Sequence, residues 1–159
     1  HGSYLSDASI GLFRKTGAYL VPTVLAGVTA AQYAKTGGFM SEAQKEKALK
    51  VGPVIQNALQ RAYAGGVKVA FGTDTGVSLH GQNAKEFALM VEAGMPPMEA
   101  IKAATLNAAD LLELSNSIGS IEAGKAADII AVDKDPTREV RTLERMRFVM
   151  RGGVVYVGP

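Results

Sequence analysis

Cysteine is absent from the 159 residues, which excludes a disulfide framework and any thiolate zinc cluster. A metal held by this chain must take imidazole, carboxylate or other oxygen and nitrogen donors. The sequence has no block of about five or six like charges. Its 17 basic and 15 acidic residues leave a net charge of +2, so a nucleic-acid partner is not expected. No apolar run reaches the ~18 residues of a membrane span. The most apolar stretch, Ala18 to Ala31, is broken by Pro22 and Gly27, so no membrane partner is expected either. Gly76 and Gly81 come without a P-loop lysine or dinucleotide glycine spacing, which disfavours nucleotide binding. There is no internal repeat and no low-complexity linker. The opening His1-Gly2-Ser3 lacks an initiating methionine and the basic and apolar regions of a signal peptide. The chain therefore reads as a piece of a longer protein, with a cytoplasmic location as the default expectation.

What is present suits a packed domain, since apolar residues make up 47% of the chain. Ser6 is placed to cap a helix carrying Ile10, Leu12 and Phe13 and stopping at Gly17. Ala18-Tyr19-Leu20-Val21 reads as a buried parallel strand closed by Pro22. Thr23 to Gly38 admits two readings: Val24, Leu25 and Val28 have helical spacing, whereas Gly27, Gly37 and Gly38 suit a mobile active-site loop. Ser41 to Gln44 has the spacing of a capping box, and Pro53 should start, kink or divide the helix that follows. Val67 to Phe71 reads as a second strand, with Gly72-Thr73-Asp74 bringing a carboxylate directly after it. Asn83 and Glu86 have capping-box spacing for a helix through Ala93-Gly94, and Pro96-Pro97 opens a helical region through Leu112. This alternation predicts a parallel α/β architecture. Beyond Leu114 the pattern changes. Ile129 to Val132 is an apolar run, and Phe148-Val149-Met150 and Val154-Val155-Tyr156 flank Gly152-Gly153 as in a β-hairpin. The expected division is 1–114 and 115–159, with the two parts packed together.

Three phrases carry the chemistry. They are Val67 to Gly81, with Gly72-Thr73-Asp74 and Leu79-His80-Gly81 inside it; Pro97-Met98-Glu99-Ala100-Ile101 with Ala103 to Ala109; and Ile118 to Asp128. Together they closely resemble the metal-dependent amidohydrolase superfamily, and most closely its branch of Xaa-Pro dipeptidases and related carboxypeptidases, with imidazolonepropionase-like hydrolases nearby. The resemblance covers almost the whole chain. It implies that the Ala18 and Val67 strands are the seventh and eighth of a (β/α)8 TIM-type barrel, with His1 at the end of the sixth. The terminal β-region would be the returning strands of a small β-sandwich. Barrel active sites lie at the C-terminal strand ends, where Asp74 falls.

The same resemblance makes Asp74 a metal ligand and proton shuttle, and His1 a metal ligand matching the family's His-Gly phrase. The implied cofactor is one or two divalent ions, zinc first, which polarise an amide carbonyl and lower the pKa of water toward ~7. A nearby carboxylate can then serve as base and afterwards as acid. The family's His-x-His motif, lysine and further histidine would lie upstream, so this chain alone is expected to be a poor catalyst. Plainer readings stand beside these. Asp74 could cap the next helix, and His-Gly-Ser is also what a polyhistidine tag leaves behind, although Tyr4-Leu5-Ser6-Asp7 continues the family phrase. His80 is expected near the substrate, or else is an exposed loop histidine.

Lys68 is expected to be a solvated or paired strand lysine, and Asn107 to tie helix to barrel by a hydrogen bond. Met90, Met95 and Met98 are expected to fill core gaps. Tyr19 and Tyr33 could line a pocket if Thr23 to Phe39 covers the site, with core packing favoured for Tyr19. The expected reaction is hydrolysis of an amide bond in a dipeptide or peptide-like substrate. Hydrolysis of a cyclic amide or imidazolone-type carbon–nitrogen bond is the second reading, and a non-catalytic scaffold the third. The expected partners are the small substrate, the upstream portion of the same protein, and further copies of the chain through exposed edges.

Overall fold

The structure, a computed structural model, describes residues 1–37 and 40–158. The first helix, α1 (Asp7–Thr16), is capped as expected: Ser9 N–H donates to Ser6 Oγ at 3.1 Å, and Gly17 ends it at φ 69°. Strand β1 (Tyr19–Leu20) follows and pairs in parallel with β2 (Lys68–Val69), Tyr19 opposite Lys68 and Leu20 opposite Val69. Between them run α2 (Val24–Thr36) and α3 (Glu42–Ala64). The helical reading of Thr23 to Gly38 therefore holds over α2, in place of a loop; Gly38 itself, like Phe39, lies outside the described residues.

The capping box at Ser41 and Gln44 forms. Pro53 neither starts nor divides α3, which continues past it. A helix interior tolerates proline poorly because it removes one N–H and crowds the preceding turn. Here α3 is held by packing. Gly27 of α2 and Gly52 of α3 let the two helices touch: a Cβ on Gly52 would lie 3.1 Å from the Gly27 carbonyl oxygen and 3.1 Å from Ala31 Cβ.

After β2 come α4 (Lys85–Glu92), α5 (Pro97–Ala104) and α6 (Leu106–Leu111). The expected single helical region through Leu112 is thus two helices, broken at Thr105 (φ −122°, ψ −85°). The break has a tertiary reason. At this corner Phe71 N–H donates to Ala103 C=O at 3.0 Å, and Asn107 Nδ2 donates to Val69 C=O at 2.8 Å. Asn107 therefore makes the expected tie from helix to strand. The corner satisfies backbone groups on the side of β2 away from β1, whereas among the described residues no third strand joins the pair.

Leu20, Val24, Ile55, Leu59, Val67, Val69, Met90 and Met95 form the core against α1, α3, α4 and α5. Met90 and Met95 fill it as expected, but Met98 is exposed. Tyr19 is not a core residue either. Its hydroxyl donates to Asp110 Oδ2 at 2.6 Å, and Lys68 Nζ sits 5.0 Å from its ring centre and 3.8 Å from Asp110. That hydrogen bond, with burial and the adjacent charge, pushes the Tyr19 hydroxyl up to about 12. Lys68 is the paired strand lysine expected.

The remainder forms an antiparallel sheet of β3 (Ile129–Ala131), β4 (Phe148–Arg151) and β5 (Val154–Val157) in the order β3-β4-β5. Gly152 and Gly153 turn the β4–β5 hairpin at φ 55° and 81°, the double positive φ of a tight hairpin turn that glycine supplies without strain. A 3-10 turn at Val140–Glu144 packs back on α4, burying Leu143 and pairing Arg141 with Glu92 at 2.9 Å. Among the described residues, no helix is long and apolar enough to cross a membrane.

Candidate functional site

Two chain segments leave the parallel pair side by side. Beyond β1, Val21-Pro22 leads to Thr23; beyond β2, Phe71-Gly72-Thr73 leads to Asp74. The segments approach so closely that a Cβ on Gly72 would fall 2.4 Å from Val21 Cγ1, which is why glycine stands there. Thr23 (φ 50°) and Asp74 (φ 51°) both adopt left-handed backbone. For a β-branched threonine this is an outlier, and such strain, of order 1–3 kcal/mol, persists only where the surroundings hold it.

The surroundings of Thr23 include Glu86. Threonine at a helix start ordinarily caps it with its own oxygen, but Thr23 makes no side-chain cap to α2. Glu86, fully buried on α4, does this instead: Val24 N–H donates to its Oε1 at 2.9 Å and Leu25 N–H to its Oε2 at 2.6 Å. The expected capping box at Asn83 and Glu86 is accordingly not formed. Helix α4 begins at Lys85 without a side-chain cap, and Asn83 Nδ2 donates instead to Thr73 Oγ1 at 3.4 Å. Burial pushes the Glu86 carboxyl up to about 7, against the lowering effect of the Leu25 and Val24 amides.

Thr23 turns its hydroxyl to His1, whose Nδ1 lies 2.7 Å from Thr23 Oγ1. The other ring nitrogen, Nε2, is 3.7 Å from Asp74 Oδ2. Gly2 permits this approach: it sits at φ 63°, and a Cβ there would meet Leu20 Cδ1 at 2.6 Å. Arg61 of α3 fastens the same segment by donating to Leu5 C=O at 2.9 Å and pairing with Asp7.

His1 and Asp74, the two residues singled out from sequence as ligands, are thus neighbours across 72 intervening positions of sequence. Their separation exceeds a hydrogen bond, yet two metal–ligand bonds of ~2.0–2.2 Å can span it. An imidazole nitrogen and a carboxylate oxygen are suitable donors for zinc. Both side chains are open to solvent, at 58% and 49% exposure, so further ligands could reach an ion between them. Among the described residues no group of three or more histidine, aspartate or glutamate side chains is placed to hold a metal. The residues present fit part of a metal site.

His80 is exposed on the loop between Asp74 and α4 and makes no hydrogen bond or ion pair with His1 or Asp74. Tyr33 borders a groove with Leu25, Val28, Leu79 and Lys85, formed by α2, that same loop and the start of α4. Thr23 and Glu86 escaped sequence reasoning. Threonine before a helical pattern gives no sign of left-handed backbone, and Glu86 three residues after Asn83 imitates a local cap.

The sequence profile of the amidohydrolase family matches residues 1–158. The chain belongs to the amidohydrolase family. An Xaa-Pro dipeptidase crystallised with methionine in its active site is 44% identical with a TM-score of 0.95, over 99% of this chain and 39% of that one. Ochratoxinase of Aspergillus niger is 36% identical over 107 residues, 64% of this chain and 22% of that protein. Imidazolonepropionase of Bacteroides fragilis is 32% identical over 137 residues, 78% of this chain and 33% of that protein. This amidohydrolase chain therefore spans well under half the length of these relatives.

Proposed function

We propose that these residues are the C-terminal portion of a metal-dependent hydrolase cleaving an amide bond in a dipeptide or peptide-like substrate. The observation that carries the reading is the pairing of His1 Nε2 with Asp74 Oδ2 at 3.7 Å, beyond the ends of two parallel strands in an amidohydrolase chain. In this reading β1 and β2 are the seventh and eighth strands of the barrel. Residues 1–114 belong to it and residues 115–159 complete a small β-sandwich. The upstream portion of the protein is the partner that supplies the remaining ligands, and exposed edges are where copies of the chain would join.

His1 and Asp74 would hold the divalent ion, zinc in the first instance. When bound, that ion supplies a Lewis acid for the amide carbonyl and lowers the pKa of water toward ~7. Asp74 accepts the proton of the attacking water and returns it to the departing nitrogen, so that the C–N bond breaks as amine and carboxylate form. His80 lies near the substrate. A dipeptide is favoured by the similarity to the Xaa-Pro dipeptidase and by the methionine in that enzyme's active site.

A cyclic-amide substrate is the second reading, favoured by the 32% identity to imidazolonepropionase. The test is a panel of Xaa-Pro and other dipeptides beside cyclic amides, offered to the complete protein with divalent metal. Dipeptide hydrolysis is expected, with kcat lowered roughly 10²–10⁴-fold in Asp74→Asn, which removes the proton acceptor. Turnover confined to cyclic amides would favour the second reading. No turnover of either class, or an Asp74→Asn variant as active as the wild type, would contradict the proposal.

A further inference from the structure

The chemistry ascribed to His1 needs its ring held, yet the residue lies outside any helix or strand and its side chain is 58% exposed. What holds it is a connected set of contacts running into the core. The His1 ring meets the Thr23 hydroxyl at 2.7 Å, and Thr23 itself is buried at 4% exposure. Thr23 is committed to φ 50°, a conformation threonine does not choose unaided. The backbone that follows is fixed by Glu86, which takes the first two amides of α2 at 2.9 and 2.6 Å, while Ala26 N–H donates to Thr23 C=O at 3.2 Å. The first three N–H groups of the helix are thus satisfied without the Thr23 side chain, which is left for His1.

We infer that Thr23 and Glu86 are positioning residues: Glu86 anchors the start of α2, and the anchored Thr23 hydroxyl aims the His1 imidazole at Asp74. A hydroxyl suits this task because it can donate or accept. It accepts a hydrogen bond from Nδ1–H when Nε2 uses its lone pair on a cation, and donates one to Nδ1 when the proton sits on Nε2. A ring nitrogen held from behind in this way is the usual support of a metal-binding histidine. The inference rests on the proposed metal site and goes beyond it, since neither residue belongs to the ligand set.

The experiment measures zinc affinity of the complete protein by chelator competition, beside thermal stability and kcat and KM for the dipeptide it hydrolyses best. Four proteins are compared with the wild type: Thr23→Val, Thr23→Ser, Glu86→Gln and the double variant Thr23→Val with Glu86→Gln. Thr23→Val keeps the side-chain shape and loses the hydroxyl, and should weaken zinc binding by roughly 10–100-fold. Thr23→Ser, which keeps the hydroxyl, should restore most of it. Glu86→Gln leaves one carbonyl acceptor for two amides and should shift affinity in the same direction. The double variant should lose less than the sum of the two, because both act through one contact.

A folded Thr23→Val protein with wild-type zinc affinity would overturn the inference. So would a Glu86→Gln protein that is less stable but binds zinc normally, since Glu86 would then serve only the fold. A wild-type protein that binds no divalent ion would overturn the proposed function and this inference together. Failure of the positioning role alone is recognised by metal binding that persists without dependence on Thr23.

Discussion

Glu86 carries both a structural and a titrating role, and the two can be separated by pH. Its carboxyl rises from 4.5 to about 7 on folding, because burial outweighs the two amides that favour the charged form. The folded protein thus holds this proton more tightly than the unfolded chain does. Such a group favours folding fully below about pH 4.5, and its contribution is lost as pH rises to about 7. Urea denaturation of the complete protein and its Glu86→Gln variant, compared across that window, is expected to show the wild type losing ground to the variant as pH increases. A difference that instead grows in favour of the wild type toward neutrality would mean that the amides of Val24 and Leu25 outweigh burial. At this scale the sequence was informative where chemistry is local. Asp74 directly after an apolar run and Asn107 within its phrase both stand where expected. Glu86 was misread because a carboxylate three residues after asparagine looks the same whether it caps its own helix or reaches 61 and 62 positions back to another.

The α2–α3 pair positions Thr23, and its closeness depends on two glycines that are not equivalent. A Cβ on Gly27 would meet the Ile55 Cδ1 methyl at 2.7 Å, the far end of a side chain that can turn aside. A Cβ on Gly52 would press on the Gly27 carbonyl oxygen and on Ala31 Cβ, neither of which can move without the helix. Alanine in a helix gains about 1 kcal/mol over glycine, whereas overpacking costs about 1–3 kcal/mol. Gly27→Ala should therefore lie within about 1 kcal/mol of neutral, and Gly52→Ala should destabilise by about 1–2 kcal/mol. Thermal denaturation of the two variants checks the order, which equal effects would contradict. Elements with their own periodicity or turn chemistry were legible, including α1, the capping box of α3 and the Gly152-Gly153 hairpin. The break between α5 and α6 was not, because it answers to Val69 and Phe71 some 30 positions or more away in sequence, as the 38-residue separation of Asn107 from Val69 shows. Nor was the continuity of α3 through Pro53, which depends on packing against α2.

At the scale of the whole molecule, the fold brings two donors together and leaves their surroundings open. The β1–β2 pair gains no third strand among the described residues, and Val154, Val155, Tyr156 and Val157 of β5 are all exposed. Family membership was legible because the phrases around Asp74, Asn107 and Asp128 are contiguous in sequence. The arrangement that matters for chemistry was only half legible: His1 and Asp74 could be named, but the Thr23 contact between helix start and imidazole exists only in three dimensions. The claim on which the functional reading rests is that His1 and Asp74 bind a divalent ion. Native mass spectrometry of the complete protein, with metal content determined on the same sample for wild type and Asp74→Ala, tests it most directly. One or two divalent ions per wild-type chain, with fewer in Asp74→Ala, is the expected result; a wild-type protein without divalent metal, or equal content in the two, would contradict it.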